Sequence, residues 1–222
     1  MNKYQQIYMK RAKLIAYFLQ IIPFIRTIFL TGSVARIEAT EKSDIDFLII
    51  TQKNRIWTCR ALVTLLIQFL GLRRTNKKIA GRICLNRYQT QGHLLINPHN
   101  QYTAKDTVSA LLLSGDSKIL ENWHNQNQWV IKHGFRFNQG KIISIGYKII
   151  SFPLILIRFI QEIMWEVIFN DWAENKLSQY QIKRILSDNR TQNSSKKEIY
   201  ISNKEIRFHP RENIYPERSR MG

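Results

Sequence analysis

Asp44 and Asp46 stand one residue apart at the head of the run 44–51, Asp-Ile-Asp-Phe-Leu-Ile-Ile-Thr. A run this rich in apolar β-formers predicts a strand. Side chains alternate on a strand, so Asp44 and Asp46 share one face while Ile45 and Phe47 turn into a core. Two neighbouring carboxylates repel each other, and the arrangement persists when a cation sits between them. Oxygen donors of this kind suit Mg²⁺, which takes one or two carboxylates together with substrate phosphates. Upstream, Gly32-Ser33 ends a shorter strand predicted over 26–31. Glycine lets the backbone come close to a phosphate, and a helix start offers free N–H groups. The Ser33 hydroxyl adds a hydrogen bond, and Arg36 follows within reach of the same phosphate. A phosphate cradle beside a carboxylate pair is what metal-dependent phosphoryl or nucleotidyl transfer requires.

The surrounding pattern supplies elements to hold these groups. Residues 2–22 read as an amphipathic helix with Ile7, Leu14, Phe18 and Ile21 on its apolar face. A short helical turn follows Gly32. Residues 55–70 return to helical spacing, with Trp57, Leu62, Leu65, Leu66 and Phe69 toward a core and Gly71 as the C-cap. Residues 82–88 and 93–96 read as two strands joined near Gly92, and from Tyr102 to about Leu186 the pattern is mostly helical. Trp123, Trp129, Trp165 and Trp172 are expected in the core. The division expected is 1–100 as a mixed α/β unit, 101–190 as a helical subdomain and 191–222 as a polar linker and loose tail, with a short hairpin or strand over 199–210.

The stretch from Leu30 to Ile50 resembles the nucleotidyltransferase superfamily of DNA polymerase β type: Gly-Ser, ten residues, then Asp-x-Asp and an apolar strand. It is similar above all to the minimal and the aminoglycoside nucleotidyltransferases. The resemblance implies an α+β fold, a small mixed sheet with flanking helices and a helical C-terminal subdomain. It assigns triphosphate binding to Gly32 and Ser33, and two Mg²⁺ ions to the catalytic pair Asp44 and Asp46. The implied reaction moves a nucleoside monophosphate from a nucleoside triphosphate such as ATP to an acceptor hydroxyl, on a small molecule, a protein or an RNA end, with release of pyrophosphate. The helical half would form one wall of the cleft.

Two departures from the family pattern stand out. Small members often carry glycine where this chain has Ile37. The superfamily also draws a third carboxylate from a later strand, yet no Asp or Glu occurs between Phe47 and Lys105. On the expected strand only Asn86 offers a metal-capable oxygen, as in similar bacterial nucleotidyltransferase-domain proteins with a Cys-x-Asn strand. Asp106, Glu38 or Glu41 could supply the missing acid. Failing that, the chain is a weakened nucleotide- or RNA-binding module that retains the fold.

Composition bounds the rest. The chain has 222 residues with 34 Lys and Arg against 16 Asp and Glu, a formal net charge of +18. With 44% hydrophobic residues it can bury a core, which excludes a disordered chain. The charge favours polyanions, and Lys53, Arg55, Arg60, Arg73, Arg74, Lys77, Lys78, Arg82, Arg87 and Lys105 form a run with no acid among them. That surface admits a nucleic-acid contact. Two cysteines, Cys59 and Cys84, suggest a reducing, cytoplasmic setting, and each reads as buried packing. The four histidines between His93 and His133 lack metal-ligand spacing. Apolar residues 142–169 are interrupted by Lys148, Arg158, Glu162 and Glu166. They read as a buried or interfacial helix that Phe152-Pro153 starts, and a membrane partner is not expected.

Overall fold

The computed structural model describes residues 2–137, 152–188 and 199–208. Its strands are β1 (Ile25–Thr31), β2 (Ile45–Thr51), β3 (Ile83–Thr90), β4 (Leu111–Gly115), β5 (Ile199–Ile201) and β6 (Glu205–Phe208). They join in one sheet ordered β4-β1-β2-β3-β6-β5. Only β2 and β3 pair in parallel. A parallel pair needs a crossover, and helix α3 (Ile56–Phe69) provides it. The other helices are α1 (Lys3–Leu19), α2 (Gly32–Ala35), α4 (Gln101–Ser109), α5 (Ser117–Gln126), α6 (Phe152–Ile168) and α7 (Asn170–Leu186). A mixed sheet with flanking helices is the α+β architecture expected from the sequence.

Both faces of the central strands are buried, so β1 and β2 read as unbroken apolar runs. Ile28, Leu30, Phe47 and Ile49 pack with α1 and α3 in the larger core. Phe29, Leu48 and Ile50 point the other way, into a second core with Leu120 and Trp123 of α5. Asp46 alternates with Phe47, so it lies on the face of this second core, beneath α4 and α5.

The inner faces of two helices differ from expectation. On α1 the buried stripe is Gln5, Tyr8, Ala12, Ile15, Ala16 and Leu19, while Ile7, Leu14 and Phe18 are exposed. On α3 Trp57 is buried as expected, with Cys59, Val63 and Ile67. Leu65 and Phe69 face out. Both helices carry apolar residues outside their buried stripe, so periodicity alone does not select the face. Gly71 does adopt the left-handed conformation just past α3, with its N–H and that of Leu72 closing on Gln68 and Ile67. Trp123 is buried, whereas Trp172 is largely exposed.

Two stretches depart from their expected element. Residues 93–96 form no strand. The buried Asn127 accepts from Ile96 N–H at 2.8 Å and donates to the Leu94 carbonyl at 2.8 Å, and Gln126 accepts from Leu94 N–H at 3.0 Å. Two side chains thus occupy the backbone groups a strand neighbour would use. Leu111–Gly115, within the stretch read as helical, is β4 and pairs with β1. Residues 199–208 form the expected hairpin, β5–β6, and β6 pairs with β3. Residues 142–151 of the expected helix 142–169 and the end of the tail lie outside the described residues; α6 is described from Phe152.

Helix α7 is tied to α3 by charge. Glu174 is buried and accepts from Trp57 N–H at 2.8 Å and Thr58 N–H at 2.9 Å. These are donors of the first turn of α3 that have no intrahelical partner, and a carboxylate there also meets the positive end of the helix dipole.

Candidate active site

Strand register brings the glycine turn to the carboxylates. Thr31 pairs with Asp46 across β1–β2, so Gly32 begins beside it. Gly32 has φ +71°, and a Cβ there would lie 2.1 Å from Asp46 Oδ2. Glycine alone combines that backbone with that approach. Asp44 sits one residue before β2. Ligand atoms of Asp44, Asp46 and Cys84 lie within 4.8 Å of one another, the one cluster of potential metal ligands among the described residues.

The neighbouring strand completes the floor. Asp46 pairs with Cys84 across β2–β3, and Asn86 is two residues further on the same face. The Asn86 amide donates to Asp46 Oδ1, while the Cys84 thiol donates to Asn86 Oδ1 at 2.7 Å. The expected third-acid position therefore holds an amide facing the pair. Residues 72–74 run beside the start of β3, with Arg74 N–H on the Ile83 carbonyl at 2.9 Å. This carries the Arg74 guanidinium to 3.0 Å from Asp44 Oδ2 and 3.3 Å from Cys84 Sγ.

Over the turn sits α4. Asp106 Oδ1 accepts from Gly32 N–H at 3.0 Å and from Arg36 at 2.5 Å. Arg36 also holds Glu38 at 2.8 Å, and Lys105 holds Glu38 at 2.7 Å. Of the three acids that could replace the missing one, Asp106 lines the cleft; Glu38 and Glu41 do not. Arg87 and Arg207 line it from β3 and β6, and Tyr102 and Trp123 form an apolar wall. From the basic run, Arg74 and Arg87 reach the cleft. Arg55, Arg60 and Lys105 are engaged by Glu166, Gln181 and Glu38.

The charges are mutually strained. Burial, then the charges of Asp44 and Asp106, push the Asp46 carboxyl up to about 8, against the pull of Arg74. Burial likewise raises Asp106, opposed by Arg36 and the Gly32 N–H, and raises the Cys84 thiol, helped by Asp46 and Asp44. A bound cation inverts this logic, because coordination favours the deprotonated ligand.

Cys84 is buried as expected, and it also faces the site. The signal was present in its two-residue spacing from Asn86. Arg74, Arg207 and Tyr102 carried no such signal, since their approach depends on distant pairings. Ile37, where the family pattern often has glycine, adopts φ +62°, the left-handed region costly for a β-branched residue. Ile37 is exposed, so Ile37→Gly loses little packing. Relief of the strain less the added chain entropy is expected to stabilise the fold by about 1 kcal/mol, a rise of about 2–4 °C in melting temperature by thermal denaturation.

The family model of the nucleotidyltransferase domain matches residues 11–90, a span from α1 through β3 that contains the turn, the Asp pair, Arg74, Cys84 and Asn86. No curated protein and no solved structure matches the chain.

Proposed function

We propose, from the premise that residues 11–90 are a nucleotidyltransferase domain of the DNA polymerase β type, that this chain transfers a nucleoside monophosphate from a triphosphate such as ATP to an acceptor hydroxyl and releases pyrophosphate. The observation that carries the reading is the convergence of Asp44 and Asp46 beside the Gly32 turn. The donor set fits a divalent cation: Asp44 Oδ2 is buried without a hydrogen bond, and its counter-charge is the Arg74 guanidinium. Asp44 and Asp46 would hold Mg²⁺, two ions by family analogy, which when bound supplies charge neutralisation at the phosphates and acidifies the acceptor hydroxyl.

The protein's own groups then have separable tasks. Gly32 N–H, Ser33 and Arg36 bind and orient the triphosphate tail. Arg87 and Arg207 add positive potential along the cleft. Tyr102 and Trp123 give an apolar wall that excludes water from one side. Helices α4 and α5 act as one wall of the cleft. Asn86 fixes the Asp46 carboxylate by its N–H but cannot accept a proton from the acceptor, so Asp106 is the nearest candidate for that task.

Asp106 accepts from the same Gly32 N–H and Arg36 that the triphosphate would need. A phosphate must displace this charge-assisted pairing, which is worth about 1.5–3 kcal/mol for a hydrogen bond to a charged group. Asp106→Asn is therefore expected to tighten binding of a non-hydrolysable triphosphate about tenfold by calorimetry.

The test of the reading is pyrophosphate release from each of the four ribonucleoside triphosphates with Mg²⁺, with and without a chelator. Release that the chelator stops supports transfer. The alternative, a binding module without turnover, is favoured by the amide at position 86. It predicts triphosphate or RNA binding, salt-sensitive and unaffected by loss of Asp44, with no pyrophosphate from any triphosphate.

A further inference from the structure

Helix α6 is amphipathic with its faces reversed. Its charged residues, Arg158, Glu162 and Glu166, turn toward the protein. Glu162 takes a two-pronged contact from Arg26 at 2.8 and 2.9 Å and accepts from Phe24 N–H at 2.7 Å. Arg158 donates to the Ile25 carbonyl at 3.0 Å. Glu166 accepts from Arg55 at 2.9 Å, and Arg55 also holds Asp171 at 2.6 Å. The outward positions from 152 to 168 are all apolar: Phe152 is 76% exposed and Val167 77%, with Phe159, Ile160, Met164 and Ile168 beside them. No residue of α6 is buried. An apolar face of this length is expected to be covered in the functioning protein, because water-facing helices normally place these residues inward.

We propose that the outward face of α6 docks on an anionic lipid bilayer, with the helix lying along the interface. Three observations select this occupant. The described face carries no charge, so entering the acyl boundary strips water from no ionic group; of the charges that interrupt the run, Arg158, Glu162 and Glu166 are spent on the Ile25 carbonyl, Arg26 and Arg55, and Lys148 lies outside the described residues. The chain's net charge of +18 attracts anionic headgroups and repels a second copy of itself. Over its described residues the helix runs for 17 residues, about 25 Å, and no described helix is long and apolar enough to cross. An uncharged apolar face on a strongly basic body is the combination that holds peripheral helices at interfaces.

The test is flotation of the full chain with vesicles of phosphatidylcholine containing about a third phosphatidylserine, against vesicles of phosphatidylcholine alone. A wholly electrostatic attraction is separated by the double variant Ile163→Gln, Val167→Gln, which keeps the net charge and replaces two exposed side chains of the outward face. Wild type is expected to float with the anionic vesicles, and the variant to bind at least tenfold more weakly with an unchanged circular dichroism spectrum. A Val167→Cys protein labelled with a polarity-sensitive dye should shift to the blue on adding those vesicles, since Cys59 and Cys84 are buried. Equal binding by wild type and the Gln variant, an unmoved dye, or a concentration-dependent dimer that the Gln variant abolishes would each overturn the proposal.

Discussion

Asp46→Asn is expected to lower pyrophosphate release by about 10³-fold or more while making the ligand-free protein harder to melt. The activity loss follows from removing a carboxylate on which several kcal/mol of charge stabilisation depend. The gain in stability follows from the crowding of negative charge. The Asp46 carboxyl is pushed up to about 8 by burial and by Asp44 and Asp106, whereas in an unfolded chain it titrates near the ordinary value of about 3.9. Between those values the folded state binds the extra proton, so stability falls as pH rises through that window. The neutral amide removes the penalty. Thermal denaturation without divalent cation at pH 9 should give a higher melting temperature for the variant, and at pH 4, where the folded carboxyl is protonated and the unfolded one about half so, the difference should shrink. Added Mg²⁺ should raise the melting temperature of wild type and leave the variant unmoved. An Asp46→Asn protein that releases pyrophosphate as fast as wild type removes the carboxylate from the mechanism.

Gly32→Ala is the second large effect. The new methyl would stand 2.1 Å from Asp46 Oδ2 on a backbone at φ +71°, so the carboxylate or the turn must move. The atom in the way belongs to a side chain held by Asn86 and wedged between β1 and β3, which leaves it little freedom. Displacement of about an ångström at a reacting centre costs on the order of 10²-fold in rate, and the turn loses its approach to phosphate as well. Transfer is expected to fall about 10²-fold with triphosphate affinity reduced in parallel, measured by pyrophosphate release and by calorimetry. Equal activity in Gly32→Ala would mean that the turn does not meet the phosphates.

The parts of this architecture that could be read from the sequence are the ones fixed by neighbours in the chain. Two-residue alternation places Asp44 and Asp46 together, and the apolar run after them marks β2. The Gly-Ser turn announces itself between two predicted elements. What could not be read depends on partners far along the chain. Arg74 reaches Asp44 because residues 72–74 run beside β3, and nothing in the basic run separates it from Arg73. The segment 93–96 has a strand's composition, yet Asn127 takes its backbone groups. The inner face of α3 was misassigned at Leu65 and Phe69 because that helix is apolar on both sides. In α6 the pattern was legible, and its direction was not: periodicity defines two faces without saying which one meets the protein.

The β5–β6 hairpin has a consequence for when the cleft comes into being. Residue 90 closes the matched domain, but the free edge of β3 waits for β6, whose Arg207 and Phe208 also line the cleft. More than a hundred residues must leave the ribosome between the two. A nascent chain can therefore assemble its carboxylate pair and glycine turn early and still lack a finished cleft lining, which is complete only once β6 has emerged.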